Sequence, residues 1–227
     1  MSRRASTCFS DEQRRRIEQA VADAESRTAA EIVPAVAAAS GRYDRAEDIA
    51  GLWLGLIAML LTWLWLPRGA PEPGSWGGRA PWMDGLLLVA GMILGFLAGA
   101  VLASNLWTLR RLFTPKRQMR DEVAAAARRA FFDARVHHTT GRTGLLIYVS
   151  LYEHVAAVLA DQVVTEKLGQ PALDELCARL TANLRRDGDV TTALVAVIGD
   201  AGKRLAATLP AAPDDRDEIA ASLVTLD

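Results

Sequence analysis

The chain has 227 residues, 51% of them hydrophobic, with 26 Lys and Arg against 27 Asp and Glu and a formal net charge of −1. That length predicts one domain or two small ones, and the charge balance excludes a generally basic, nucleic-acid-binding protein. The two cysteines, Cys8 and Cys177, exclude a disulfide scaffold and offer no metal-ligand spacing.

The N-terminal stretch MSRRASTCFS has no apolar run behind its arginines, so no cleavable signal peptide is expected. Ser10-Asp-Glu-Gln13 reads as a capping box. The helix that follows is predicted to run to about Arg27, with Ile17, Ala20, Val21 and Ala24 on one face. Glu31 opens the predicted strand EIVPAVAA, in which Pro34 suits an edge or a bulge better than a central position.

Ile49–Leu66 is then 18 residues without a charge, and Gly85–Leu109 is 25. As helices both are long enough to cross the ~30 Å hydrocarbon core of a bilayer. The join between them is rich in Pro and Gly. The tryptophans Trp53, Trp63, Trp65, Trp76, Trp82 and Trp107 fall near helix ends or in the loop, as an interfacial belt requires. Two transmembrane helices forming a hairpin over 49–109 are therefore expected. Arg42, Arg45, Arg110, Arg111, Lys116, Arg117 and Arg120 flank the pair, against Arg68 and Arg79 in the loop. The positive-inside rule then places both termini in the cytoplasm, and the basic collar at 110–120 reads as a membrane-surface anchor. Within the second span Gly91, Gly95, Gly99 and Ala103 recur every four residues. They give a face on which another backbone can approach closely, within the hairpin or between chains; Gly51 and Gly55 give the first span a shorter one. The spans carry no ionisable group, which argues against a transporter or channel.

Beyond the hairpin, Thr114-Pro115 starts a predicted helix that continues to His137-His138. LLIYVSL and VAAVLAD are predicted strands joined by a tight turn at YEH. Two helices follow, one from Pro171 with a stripe of Leu173, Leu176, Cys177, Leu180 and Leu184, and one carrying Val190, Leu194, Val197, Ile198, Ala201, Leu205 and Leu209. The tail from Pro210 is expected to be loosely packed. One strand and one helix cannot bury a core alone. Residues 1–45 and 110–210 are therefore expected to form one discontinuous α/β domain, with the hairpin (49–66 and 85–109) inserted in it and 211–227 as a tail.

These elements, in this order, resemble the TPM domain family, in particular its bacterial membrane-protein branch with a hairpin inside the domain. The resemblance rests on FSDEQRRRIEQAVADAESRTAAEIVPAVA, on ARRAFFDARVHHTTGRTGLLIYVSLYEHVAAVLAD, and on the two helices beyond. It implies a small sheet flanked by helices, a TPM-like sandwich. Some relatives are linked to phosphatase activity and chloroplast relatives to photosystem maintenance, while most bacterial members have no established role.

For chemistry, Glu31 begins the first strand and Asp161 ends the third. Were those strands neighbours, the two carboxylates would gather near Glu153 and His154 and could hold a divalent cation, Ca or Mg. The competing reading makes Glu31 and Asp161 helix caps or arginine partners, and Glu153 and His154 exposed turn residues. His137-His138 reads as a solvated helix end, since adjacent helical residues diverge by about 100°. GDAGKR at 199–204 lacks the first glycine and the Ser/Thr of a phosphate loop. No nucleophile elbow is present, and Cys8 and Cys177 read as inert. The expectation is a bacterial inner-membrane protein. It would act as a cytoplasmic interaction or assembly module, in contact with the lipid bilayer and with a membrane-protein partner or a second copy through the glycine face. The alternative is a membrane-bound, metal-assisted phosphatase or other phosphoester hydrolase.

Overall fold

A computed structural model describes residues 5–41, 44–66, 81–105, 114–139, 141–211 and 222–226. It divides into two compact units, Met1–Gly41 with Arg117–Asp227, and Arg42–Lys116. The fold is mixed α/β: a four-stranded sheet flanked by helices, with two long apolar helices inserted between its first two strands.

In the first unit, α1 (Asp11–Glu25) starts at Ser10 through the expected reciprocal cap. The Ser10 hydroxyl accepts from the Gln13 N–H at 3.2 Å, and the Gln13 side-chain oxygen accepts from the Ser10 N–H at 2.9 Å. β1 (Glu31–Ala37), β2 (Gly144–Ser150), β3 (Val155–Ala160) and β4 (Val224–Leu226) form one sheet in the order β3-β2-β1-β4. β1 is parallel to β2 and to β4, whereas β2 and β3 form an antiparallel hairpin. Parallel pairing of β1 with β2 requires a crossover, which α4 (Lys116–Asp133) completes by running back towards the amino end of β2.

Both faces of the sheet are covered, which explains why β1 and β2 are apolar and buried throughout rather than alternating. On one face Ile32, Val36, Leu145, Ile147 and Val149 meet α1, α6 (Gln170–Asp187) and α7 (Val190–Thr208) in the larger core. On the other, Val33, Ala35, Ala37, Leu146 and Tyr148 meet Val123, Ala127 and Ala130 of α4, with Val136 beside them. α6 buries Leu173, Leu176 and Leu180, three of the five residues of its expected stripe.

Pro34 sits in a strand that is second from the edge, yet its missing N–H has a place. The Glu31 N–H bonds to Thr143 on the β2 side, while those of Ile32 and Ala38 point the other way, to the Glu25 carboxylate at 2.7 Å and to Leu226 at 3.0 Å. By strand alternation Pro34 faces that second side, and β4 pairs only with Ala35–Ala37. Its position is locally an edge.

Two expectations need correction. The tail is not uniformly loose: Val224–Leu226 adds β4 to the sheet, and Leu223 is buried in the core. Between Asp161 and Pro171 the structure also has a short helix, α5 (Gln162–Leu168), capped by Asp161 and burying Val164.

The second unit consists of α2 (Asp44–Trp65) and α3 (Pro81–Asn105), both long and apolar enough to cross a membrane. Residues 106–109 of the expected second span, and the loop over 67–80, lie outside the described residues. The helices meet along small residues. A Cβ built on Gly95 would lie 2.6 Å from the Ala58 Cβ and 2.7 Å from the Leu54 carbonyl oxygen, and one on Gly99 would lie 2.8 Å from the Ala50 carbonyl oxygen. Gly91 faces Thr62 in the same way, and Ala103 is fully buried. The Leu, Ile, Val and Trp side chains on the opposite faces are exposed.

Candidate functional site

The two carboxylates predicted to act together are separated by a strand. Glu31 lies opposite Gly144 of β2, and the Asp161 N–H donates to the Gly144 carbonyl from the other side at 2.8 Å. β1 and β3 are thus not neighbours, and with strands ~4.8 Å apart the two backbones stand about 10 Å from each other. The space over Gly144 is taken by Val136, whose Cγ1 would lie 2.6 Å from a Cβ added there. Asp161 caps α5, accepting from the Gln162 N–H at 2.7 Å. Glu153 and His154 are not near this pair, because they lie in the β2–β3 turn at the far end of the sheet. No group of three or more His, Cys, Asp or Glu gathers at metal-binding range among the described residues.

Polar chemistry is instead concentrated at the carboxyl ends of β1 and β2, where sheets of parallel strands commonly receive ligands. Glu153 is not an exposed turn residue: it is 2% exposed. One of its oxygens accepts from the backbone N–H groups of Ser40, at 2.8 Å, and Gly41, at 3.2 Å. The other accepts from the Ser150 hydroxyl in a short contact. The Ser40 hydroxyl donates to Ser150 at 2.8 Å and lies 2.9 Å from the Tyr148 hydroxyl. A hydroxyl has one proton, so Tyr148 must be the donor to Ser40. The bonds therefore run in one direction, from Tyr148 through Ser40 and Ser150 to the Glu153 carboxylate. Burial raises the Tyr148 phenol above its ordinary value, and the Glu153 charge adds to it.

Tyr148 and Ser150 are each 1% exposed, while the relay reaches the partly exposed Ser40. It clasps the chain where it leaves the first unit, immediately after Gly41. His154 closes the turn in the left-handed region at φ 54°. Sequence reasoning did not single out Ser40, Tyr148 or Ser150. Its available signal was two hydroxyls two residues apart, hence on one face of an otherwise apolar strand.

The remaining candidates have structural roles. GDAGKR lies inside the continuous helix α7, and its Asp200 and Arg204 belong to an ion-pair cluster with α6. Arg179 lies 2.8 Å from Glu175 and 3.1 Å from Asp200, and Arg204 lies 3.0 Å from Glu175. Arg204, and after it Arg179, lowers the Glu175 carboxyl to about 2. The Cys177 thiol, which burial pushes up, donates to the Ala156 carbonyl at 3.3 Å and faces the Val158 N–H. Both groups are on the outer edge of β3. Cys8 packs against the larger core. His137 and His138 sit on an exposed turn, with the His137 ring 4.9 Å from that of Phe132.

Neither a scan against protein-family models nor a search of curated proteins finds a match for the chain. Among solved structures, the chain is similar to the BA42 protein of the psychrophilic bacterium Bizionia argentinensis, determined by NMR. The two are 15% identical with a TM-score of 0.55, over 96% of this chain and 94% of that one. At that identity the likeness shows the fold alone.

Proposed function

We propose that the chain is a membrane-anchored, TPM-like α/β protein of the bacterial inner membrane that acts as an interaction or assembly module on the cytoplasmic face. The observation that carries this reading is the insertion itself: α2 and α3 spend their small residues on each other and leave large apolar side chains exposed, Leu94 at 67%. A soluble protein seldom exposes so continuous an apolar surface, whereas lipid covers it at no cost. The chain leaves the α/β unit after Gly41 and returns to it at Arg117, so both ends of the hairpin belong on one side of the bilayer. The surplus of Lys and Arg flanking the spans over the loop makes that side the cytoplasm.

A phosphoester hydrolase using Glu31 and Asp161 draws no support from the geometry, because β2 separates them and Val136 fills the space between. The relay at the opposite end has Tyr148, Ser150 and Glu153 buried at 1–2% exposure. The test is topological. With Cys8 and Cys177 replaced by serine, cysteine at Ser75 is expected to react with a membrane-impermeant maleimide on spheroplasts, and cysteine at Ser10 only after lysis. Labelling at Ser10 in intact spheroplasts, or extraction of the protein by alkaline carbonate, would overturn the reading.

A further inference from the structure

A basic cluster of the α/β unit lies at the end of α4. Residues 128–142 contain four arginines, two histidines and a single carboxylate, Asp133, in a chain whose net charge is −1. Val123, Ala127 and Ala130 turn one side of α4 to the sheet, so Phe132 stands on the opposite side, flanked by Arg128 and Arg129. Phe132 is 59% exposed, and both arginines, Arg135 and His137 are exposed as well. Arg128, Arg129 and Arg135 make no ion pair with any other described residue.

The patch is also held in shape. The Phe132 ring packs edge-on against His137 at 4.9 Å and against Phe131 at 5.9 Å. Arg135 is held at φ 55°, in the left-handed region that side chains bearing a Cβ seldom adopt. An exposed aromatic braced by neighbouring rings, with arginines on both sides, loses less freedom when a partner arrives than an isolated one.

The geometry points to this surface as a docking site for an acidic segment of a partner protein, whose carboxylates pair with Arg128, Arg129 and Arg135 while an apolar side chain rests on Phe132. This deepens, and rests on, the reading of the chain as an interaction module. A guanidinium fork matches a carboxylate with two parallel hydrogen bonds, and the ring supplies the apolar centre that a protein interface needs. Two other anionic partners fit less well. α4 returns from the carboxyl end of β1, where the chain departs for the hairpin, to the amino end of β2. Its 18 residues rise about 27 Å, so within the α/β unit the patch lies at the opposite pole from Gly41 and Arg117, where the chain departs and returns. A nucleic acid needs a longer basic track, and a net charge of −1 provides no long-range attraction to a polyanion.

The test uses the full chain in neutral phosphatidylcholine nanodiscs and a short fluorescein-labelled peptide of repeating Glu-Glu-Leu, with binding read by anisotropy. Wild type is expected to bind with an affinity that falls steeply as salt rises. Arg129→Glu with Arg135→Glu is expected to weaken binding roughly tenfold or more, and Phe132→Ser by at least about threefold. Arg186→Glu, on the exposed end of α6, is expected to change nothing. All four positions are exposed, so equal melting temperatures confirm folded variants. Absence of binding by wild type, or equal binding by wild type and patch variants, would overturn the proposal. So would loss of adhesion to phosphatidylserine vesicles in the patch variants with peptide binding unchanged. The maleimide labelling at Ser75 is independent of the patch, so failure of the docking site and failure of the membrane anchor are separately visible.

Discussion

Replacing Glu153 by alanine should unfasten the chain at the point where it leaves the α/β unit. The carboxylate's acceptors hold the N–H groups of Ser40 and Gly41 and the hydroxyl of Ser150. A buried donor left without its acceptor costs about 1–3 kcal/mol. The two backbone N–H groups are only partly buried and can recruit water, which places each near the lower end, whereas the Ser150 hydroxyl is fully enclosed. The expected loss is about 3–5 kcal/mol, a large share of the ~5–15 kcal/mol that holds a typical domain together. Urea unfolding of the full chain in micelles, followed by tryptophan-independent far-UV circular dichroism, measures the total. Hydrogen exchange of the Ser40 and Gly41 amides reports the local opening, which should rise before global unfolding. Glu153→Gln keeps one acceptor but turns an amide donor towards other donors, and should fall between wild type and alanine. It also removes the charge that helps to raise Tyr148, so the phenolate absorbance should appear at lower pH than in wild type. A loss below about 1 kcal/mol with unchanged exchange at Ser40 and Gly41 would refute the clasp.

Gly144→Ala should destabilise by about 3 kcal/mol or more, because the new Cβ meets the backbone of Val136, which cannot step aside as a flexible side-chain end can; a neutral result in denaturant melts would show that the 136–138 turn lifts freely. The depressed Glu175 carboxyl contributes stability that is fully present above about 4.5 and lost as pH falls through about 2. Glu175→Gln should therefore flatten the melting curve's acid limb in that window, and high salt should largely erase the difference because the pair is exposed. Gly99→Leu should push α3 away from Ala50 and Gly51, read as a longer distance between spin labels at the outward-facing Leu60 and Leu94; an unchanged distance would contradict the close packing. Cys177→Ala should cost about 1–2 kcal/mol by stripping a partner from Ala156 and Val158 on the β3 edge, and Cys177→Ser should recover part of it.

The elements that announce themselves locally were legible. The Ser10–Gln13 cap, the leucine stripe of α6 and the uncharged runs of α2 and α3 each carry a period or a composition that few other structures satisfy. What was not legible depends on pairing at a distance. β4 is three residues long and pairs with Ala35–Ala37 nearly two hundred positions earlier, so nothing in its own pattern could reveal it. The same holds for strand order: Glu31 and Asp161 look adjacent when strands are counted along the chain, and only the placement of β2 between them shows otherwise. α5 is a different case, since its signals were present. Asp161 is a good N-cap and Gly169 a good terminator, and capping was one of the two readings open for Asp161, but the seven residues between them are too few to show a helical period. Glu153 was misjudged because a turn between two strands is ordinarily exposed, and its burial arises from Ser40 and Gly41, more than a hundred residues away.

The edges of the sheet bear on how such a domain can meet partners. An unpaired strand edge is an open template for another chain, and on β3 and the first part of β1 much of that template is occupied from within. On β3 the Ala156 carbonyl and the Val158 N–H are taken by Cys177, and the Ala160 carbonyl faces the Thr165 hydroxyl at 3.4 Å. On the stretch of β1 that β4 leaves uncovered, Glu25 takes the Ile32 N–H and Pro34 has none to offer. The carboxyl end of the parallel strands, the usual ligand pole, is filled by the Tyr148–Ser40–Ser150–Glu153 relay. With the β3 edge and the uncovered stretch of β1 largely occupied, helix surfaces offer the broader ground for recognition. Of these, the outer side of α6 and α7 satisfies its own charges through Glu175, Arg179, Asp200 and Arg204. The end of α4, with Phe132 exposed beside arginines that make no ion pair with any other described residue, does not, and it leaves those charges open to an external anion.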